Sequence, residues 1–221
     1  MDYQILSILE PAEVDLIHRE LASRTFVDGK ASASGTARDA KENLQAERTA
    51  AATPADQIVL AALRRNRLFQ SFAIPRRVLL PMYSRYEPGM RYDAHVDSAI
   101  MKRENGEPMR TDLALTLFLS RPETYDGGAL AIQLAYGEEQ IKLEAGEGVV
   151  YSAKTIHRVE PVTRGMRLAA VMWVQSAVRD ERVRAILHSM QLAQNELEAA
   201  GIVNLHLTQS YNNLLRLSCE L

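Results

Sequence analysis

The sequence predicts a mainly β domain with helices at both ends. From about residue 72 to residue 176, short apolar runs are separated by Gly, Pro and charged turns. They recur at a spacing of roughly 8 to 12 residues, which indicates a sandwich or barrel rather than alternating βαβ units. Before and after that region the apolar residues fall three and four apart, the period of a helix.

Taken in order, YQILSI (3–8) reads as a strand and EPAEVDLIHRELAS as a helix, with Pro11 in its first turn and Val14, Ile17 and Leu21 on one face. Residues 28–55 are dominated by small and polar side chains. That composition fits a surface loop, or a lid that touches substrate, since long loops in compact domains are often functional. QIVLAALRRNRLFQ (57–70) reads as one further helix. The strand candidates that follow are RRVLLPMYSRY, RYDAHVD, DLALTLFLS, GALAIQL, EQIKLEA, GVVYSA and RLAAVMWVQS. After residue 178, Val183, Ile186, Leu187, Met190 and Leu197 form an apolar helical stripe that Gly201 is placed to cap. The leucine-rich end, NLHLTQSYNNLLRLSCEL, either covers the sheet or pairs with a second copy of the chain.

A chain of 221 residues suffices for one large domain with a modest appendage. At 47% hydrophobic and 24% charged, it has the composition of a globular protein. A formal net charge of -2 gives no bulk attraction to nucleic acid or to an anionic membrane. The single cysteine, Cys219, cannot form an internal disulfide, and the start MDYQILSILEPAEVD is a poor signal peptide. No stretch approaches the roughly 20 apolar residues of a membrane span. These features predict a cytoplasmic protein.

The chemistry begins at RYDAHVDSAIM (91–101). On a strand, residues two apart share a face, so His95 and Asp97 project together. Imidazole nitrogen and carboxylate oxygen suit Fe(II), and two histidines with one carboxylate make a facial triad with open positions. Of the other histidines, His18 and His188 sit in helical patterns where a structural role is the plainer account, and His206 lies in the tail without a partner. His157 lies within the β region and is the candidate third ligand. Arg167, ten residues later, opens RLAAVMWVQS, where Arg167, Ala169, Val171 and Trp173 share a face. An inward arginine needs an anion, and its planar fork suits a carboxylate. A triad leaves room for the carboxylate and keto oxygens of a 2-oxo acid, and Arg167 is then the cation for the far carboxylate of 2-oxoglutarate.

Over most of its length the chain resembles the PKHD-type hydroxylases, bacterial Fe(II)/2-oxoglutarate dioxygenases related to prolyl and lysyl hydroxylases. The resemblance rests on YEPGMRYDAHVDSA, RTDLALTLFLSRPETYDGGAL, VVYSAKTIHRVEPVTRGMRLAAVMWVQS and YNNLLRL, and FVDGKASASGTARDAKENLQ looks like the family's N-terminal segment. It implies a double-stranded β-helix, or jelly-roll, core with His95, Asp97 and His157 as iron ligands and Arg167 as the 2-oxoglutarate anchor. Tyr86, Tyr92 and Trp173 match aromatic positions of the cosubstrate pocket. One departure stands out: prolyl hydroxylases commonly carry a tyrosine on the strand where this chain has Thr116 and Phe118, which predicts less hydroxyl help for Arg167. Asp126-Gly127-Gly128 matches a family motif and reads physically as a turn needing positive φ.

The resemblance implies hydroxylation of a small molecule or a protein side chain with release of succinate and CO2. It also implies ascorbate as a reductant for the iron and a link to iron homeostasis. The expected division is 1–177 for the jelly-roll domain and 178–221 for a C-terminal helical segment. The expected partners are the substrate and a second copy of the chain as a homodimer, with neither nucleic acid nor membrane. Two other readings are a cupin-like metalloenzyme that uses no 2-oxo acid, and a non-catalytic metal-binding sensor. Arg167 discriminates the first from the dioxygenase, and a visible band with Fe(II) and 2-oxoglutarate, followed by succinate on admitting oxygen, discriminates the second.

Overall fold

The computed structural model of the chain describes residues 2–32, 35–49 and 51–220. Its N-terminal part runs β1 (Tyr3–Ser7), α1 (Pro11–Ala22), β2 (Phe26–Asp28), α2 (Gly35–Asp39), β3 (Lys41–Glu42), β4 (Leu44–Ala46), α3 (Pro54–Arg65) and α4 (Arg67–Ala73). The strands that follow are β5 (Pro75–Val78), β6 (Met82–Tyr86), β7 (Arg91–His95), β8 (Ile100–Lys102), β9 (Pro108–Arg110), β10 (Leu113–Phe118) and β11 (Tyr125–Gly127). Then come β12 (Leu130–Leu134), β13 (Gly137–Ile141), β14 (Glu147–Ser152), β15 (His157–Val159), β16 (Val162–Gly165) and β17 (Arg167–Ser176). Helices α5 (Glu181–Ala199) and α6 (Leu205–Ser218) close the chain.

Two antiparallel sheets face each other as a jelly roll. The larger has the order β1-β14-β10-β17-β6-β4-β2, with β5 also on β17, and the smaller runs β13-β12-β15-β7-β3. The larger sheet is buried on both faces, which explains its long apolar runs. Leu168, Ala170, Met172 and Val174 of β17 join Leu113, Leu115 and Leu117 of β10 in a core shared with α1, α3 and α4. The alternate residues Ala114, Phe118, Val149, Tyr151 and Trp173 point between the sheets into a second core. On the helix side, Ile17, Val59 and Phe69 have no exposed surface, and each such side chain stabilises by about 1.5–3 kcal/mol.

The stretch expected as a single helix over 57–70 is two. Asn66 ends α3 in extended backbone and caps α4, its Oδ1 accepting from the Phe69 N–H at 2.9 Å. Its amide also donates to the Ser7 carbonyl at 2.7 Å, tying the break to β1. The expected stripe on α5 is rotated as well: Arg184, Leu187 and His188 are buried, and Ile186 is exposed. Gly201 does cap α5, with φ at 73° and the Ile202 N–H reaching the Leu197 carbonyl at 2.8 Å. Helix α6 lies along α5, and the tail returns to the sheet domain through Glu220 N–H to Ala177 O at 2.7 Å.

Short strands within the 28–55 segment pair into both sheets. β2 pairs with β4 and β4 with β6, which extends the larger sheet, while β3 pairs with β7 and extends the smaller one. The chain between Phe26 and Arg48 thus straps one sheet edge to the other. Gly29 lies so close beneath Asn43 that a Cβ there would fall 1.9 Å from Asn43 Oδ1. No helix among the described residues is long and apolar enough to cross a membrane.

Candidate metal and cosubstrate site

β15 lies between β12 and β7, and its register sets His157 directly opposite His95. β7 ends at His95, so Asp97 belongs to the following loop rather than to the strand face the spacing implied. The loop nonetheless returns its carboxylate to the two rings. One ligand atom from each of His95, Asp97 and His157 lies within 4.8 Å of the other two, and His157 Nε2 stands 3.9 Å from Asp97 Oδ2.

Both imidazoles are fixed through Nδ1, which donates to Asp93 O at 2.8 Å in His95 and to Thr155 O at 2.9 Å in His157. A carbonyl only accepts, so the proton sits on Nδ1 and the Nε2 lone pair is available to a metal. Tyr92 stacks on the His95 ring at 3.6 Å and 14°, and Tyr151 meets His157 edge-on at 5.2 Å. Burial, aided by the positive charge of His157 and Lys41 nearby, lowers the His95 pKa to about 4, so that ring is neutral at pH 7. Burial also raises the Asp97 carboxyl, against the pull of His157, Trp173 and Lys41. The Trp173 indole leans toward that carboxyl without forming a proper hydrogen bond, and Asp97 Oδ2 and Trp173 Nε1 are both buried without a partner. An orphaned carboxylate oxygen beside two imidazoles fixed through Nδ1 fits a divalent transition-metal ion.

These three side chains open onto a cavity of about 510 Å³ between the sheets. Arg167 reaches it from the first position of β17, paired with Tyr86 in register. It is 1% exposed, its Nε and Nη2 have no partner, and among the described residues no carboxylate lies within ion-pair distance of it. Its guanidinium sits 5.1 Å from the Tyr86 ring and 5.2 Å from the Phe118 ring. A buried, unpaired guanidinium is costly in isolation and suited to a bidentate carboxylate.

Tyr86, Tyr92 and Trp173 all line this cavity. Phe118 does stand against Arg167 without a hydroxyl, and hydroxyls from other residues lie nearby. Tyr125 of β11 is fully buried beside Arg167, with its hydroxyl unpartnered. Burial raises the Tyr125 pKa, and the Arg167 charge opposes that rise. Tyr151 and Thr116 add two more hydroxyls to the wall. The Gly127-Gly128 turn is part of this construction: both glycines have φ near 70°, at 70° and 64°, and a Cβ on Gly128 would come within 3.0 Å of Arg167 Cδ.

Sequence reasoning overlooked Lys41 and Tyr125. Lys41 was hidden in a small-residue segment, and Tyr125 lies just outside any regular alternation. His18 and His188 lie away from the triad: His18 bonds the Leu119 carbonyl at 2.7 Å, and His188 bonds Ser71 at 3.0 Å. His206 is exposed on α6.

A jelly roll with two histidines and an aspartate at its open end, and a buried arginine within, defines the non-haem iron oxygenases that use a 2-oxo acid. Residues 81–175 match the 2OG-Fe(II) oxygenase superfamily. The chain is 44% identical over 222 residues to a PKHD-type hydroxylase of Burkholderia ambifaria (strain MC40-6), covering 98% of each protein. It is 43% identical to one from Synechococcus sp. (strain JA-3-3Ab), covering 97% of each. The chain belongs to the PKHD-type hydroxylases, and it is a 2-oxoglutarate- and iron-dependent hydroxylase. Among solved structures, a Pseudomonas putida prolyl-4-hydroxylase matches with a TM-score of 0.58 at 24% identity, over 79% of this chain and 92% of that one. A viral collagen prolyl hydroxylase from Paramecium Bursaria Chlorella virus-1 matches at 0.56 and 18%, over 80% and 97%. Both share the fold.

Proposed function

We infer that His95, Asp97 and His157 hold the Fe(II), that Arg167 holds the far carboxylate of 2-oxoglutarate, and that the chain hydroxylates its substrate with release of succinate and CO2. The observation that carries this reading is Arg167, a buried and unpaired guanidinium in the same cavity as the triad. A cupin-like enzyme without a 2-oxo acid would have no use for it. Bound to the triad, ferrous iron supplies the activation of dioxygen, one oxygen atom ending in succinate and the other in the new hydroxyl.

The protein contributes position and exclusion. Arg167 and the hydroxyls of Tyr86 and Tyr151 orient the cosubstrate, with Tyr125 buried beside Arg167. Tyr92 and Tyr151 hold the two imidazole planes, and the strap from Phe26 to Arg48 roofs the cavity and limits water. The family's suggested place in iron homeostasis, a cytoplasmic setting and ascorbate as a reductant belong to the same reading, supported by the sequence resemblance and a lone half-buried Cys219.

The test is anaerobic addition of Fe(II) and 2-oxoglutarate, followed by visible absorbance. A charge-transfer band is expected, and admitting oxygen then yields succinate. A protein that binds Fe(II) but gives neither band nor succinate is a metal-binding sensor, and the reading falls.

A further inference from the structure

Arg167 is not the only buried cation of the cavity. Lys41, the first residue of β3, lines the same space and is 3% exposed. Lysine is almost never so buried unless it is paired. Its Nζ donates to Ser32 Oγ at 2.8 Å and lies 5.3 Å from the centroid of the Tyr92 ring, both neutral groups. Among the described residues no carboxylate is within ion-pair distance of it. Asp97 and Asp28 are near enough to act on it electrostatically. The charge of Asp97, however, is committed to the metal, and Asp28 accepts from the Lys30 N–H at 2.9 Å. An ammonium removed from water without an anion is expensive, and a purely structural position would be served as well by methionine.

The two cations stand on opposite walls. Arg167 rises from the interior of the larger sheet, paired with Tyr86, and Lys41 lies at the edge of the smaller sheet, paired with Tyr92. Tyr92 in turn stacks on the metal-side histidine His95. Resting on the assignment of the triad to iron and of Arg167 to the cosubstrate, we propose that Lys41 anchors a carboxylate of the molecule to be hydroxylated, so that the primary substrate is an acid with an apolar body.

A single ammonium with two N–H donors left over matches a monoanion. A phosphate dianion would need a second cation, and of the others on the lining Arg48 lies 3.9 Å from Glu104 while Lys102 is exposed. The same lining carries Val27, Ala31, Ala37, Val96 and Met101, apolar surface against which a carbon skeleton can pack, alongside the charged Asp28, Glu47, Arg48 and Lys102.

Lys41→Met and Lys41→Arg test this in two stages. In anaerobic titrations of the Fe(II)-loaded protein, 2-oxoglutarate affinity read from the visible band is expected to agree within about twofold between wild type and Lys41→Met. If the wild type itself gives no band, the iron and cosubstrate assignment fails. If only Lys41→Met loses affinity, by tenfold or more, Lys41 is a cosubstrate ligand and the proposal falls. In the second stage the Fe(II)–2-oxoglutarate complex is titrated with N-acetyl amino acids bearing apolar side chains and with their matching amides. At least one acid is expected to perturb the band at a concentration tenfold or more below that of its amide. Lys41→Met should abolish that preference and Lys41→Arg should retain it. Amides as effective as acids, no acid perturbing the wild-type band, or a Lys41→Met variant that responds like the wild type would each overturn the proposal.

Discussion

His95 and His157 face each other across neighbouring strands, and each is tied through Nδ1 to the backbone carbonyl two residues before it, Asp93 in one case and Thr155 in the other. The hydrogen-bonding support of both rings is therefore main chain, beyond the reach of side-chain substitution. Asp93→Ala and Thr155→Ala are expected to hold metal within about threefold of wild type. Where a side chain supplies this support, its loss typically costs about 10–100-fold. His157→Ala should lose more than that, and Co(II) titration followed by absorbance compares the three variants.

Asp97 carries a buried carboxylate whose Oδ2 has no hydrogen-bond partner among the described residues. Asp97→Asn removes that charge, so the metal-free variant should gain roughly 1 kcal/mol of stability while losing its response to metal. Wild type should instead gain about 2.7 kcal/mol at a metal concentration 100 times Kd. Thermal melts with chelator and with Mn(II) measure both effects. A metal-free variant that melts below the wild type contradicts the account.

Arg167→Met keeps a long buried side chain and deletes the charge. Hydrogen bonds to charged groups contribute about 1.5–3 kcal/mol, so the KM for 2-oxoglutarate should rise on the order of 10- to 100-fold. Folding stability should hold or rise, because the unpaired guanidinium is gone. Succinate release against 2-oxoglutarate concentration, beside a urea melt, separates the two effects.

The glycine pair offers a sharper contrast. A Cβ on Gly127 would sit 2.0 Å from the Pro161 carbonyl oxygen, whereas on Gly128 it would press at 2.9 Å on Val162 Cγ2 and at 3.0 Å on Arg167 Cδ. Both alanine variants carry a left-handed penalty of about 1–2 kcal/mol. Gly127→Ala should act on folding. Gly128→Ala should also raise the KM for 2-oxoglutarate, because the displaced side chain is Arg167, the proposed cosubstrate anchor.

His188 is buried on α5, its Nδ1 bonded to Ser71 Oγ and its ring edge-on to Phe72 at 5.4 Å. Arg184, Lys154 and Glu181 line the same groove. Burial depresses the His188 pKa, so the folded protein resists protonating it. Below the unfolded value of about 6.5 the unfolded chain binds the extra proton first. The stabilising contribution is thus complete above that pH and declines as the pH falls toward the folded value. His188→Gln should flatten this part of the stability profile between pH 7 and pH 5, as urea melts at each pH would read.

Much of the site was legible in the sequence because strands alternate. RLAAVMWVQS matches β17 residue for residue, and the inward face of Arg167, Ala169, Val171 and Trp173 follows from its period. The pairing of His95 with Asp97 held for a different reason from the one inferred, since the strand ends at His95 and a loop supplies the carboxylate. The strap from Phe26 to Arg48 could not be read. Its strands are two or three residues long, and β6 and β7, the partners of β4 and β3, lie some 40 to 50 residues away in sequence. Local pattern carries no trace of pairings so distant, and Lys41 was hidden with them. The break at Asn66 escaped for the same reason, because Ser7 holds it from another element.

Strand β17 has a consequence for how this enzyme can change over time. Leu168, Ala170, Met172 and Val174 hold the helices to the sheet, while Arg167, Val171 and Trp173 line the cavity, so the two tasks are separable by substitution at alternate positions. They are inseparable under insertion or deletion. One residue gained or lost within the strand turns every later side chain over, bringing Trp173 to the helices and Met172 to the cavity. New specificities are therefore open to this fold by replacing side chains along β17, whereas a change in its length would forfeit stability and catalysis in the same step.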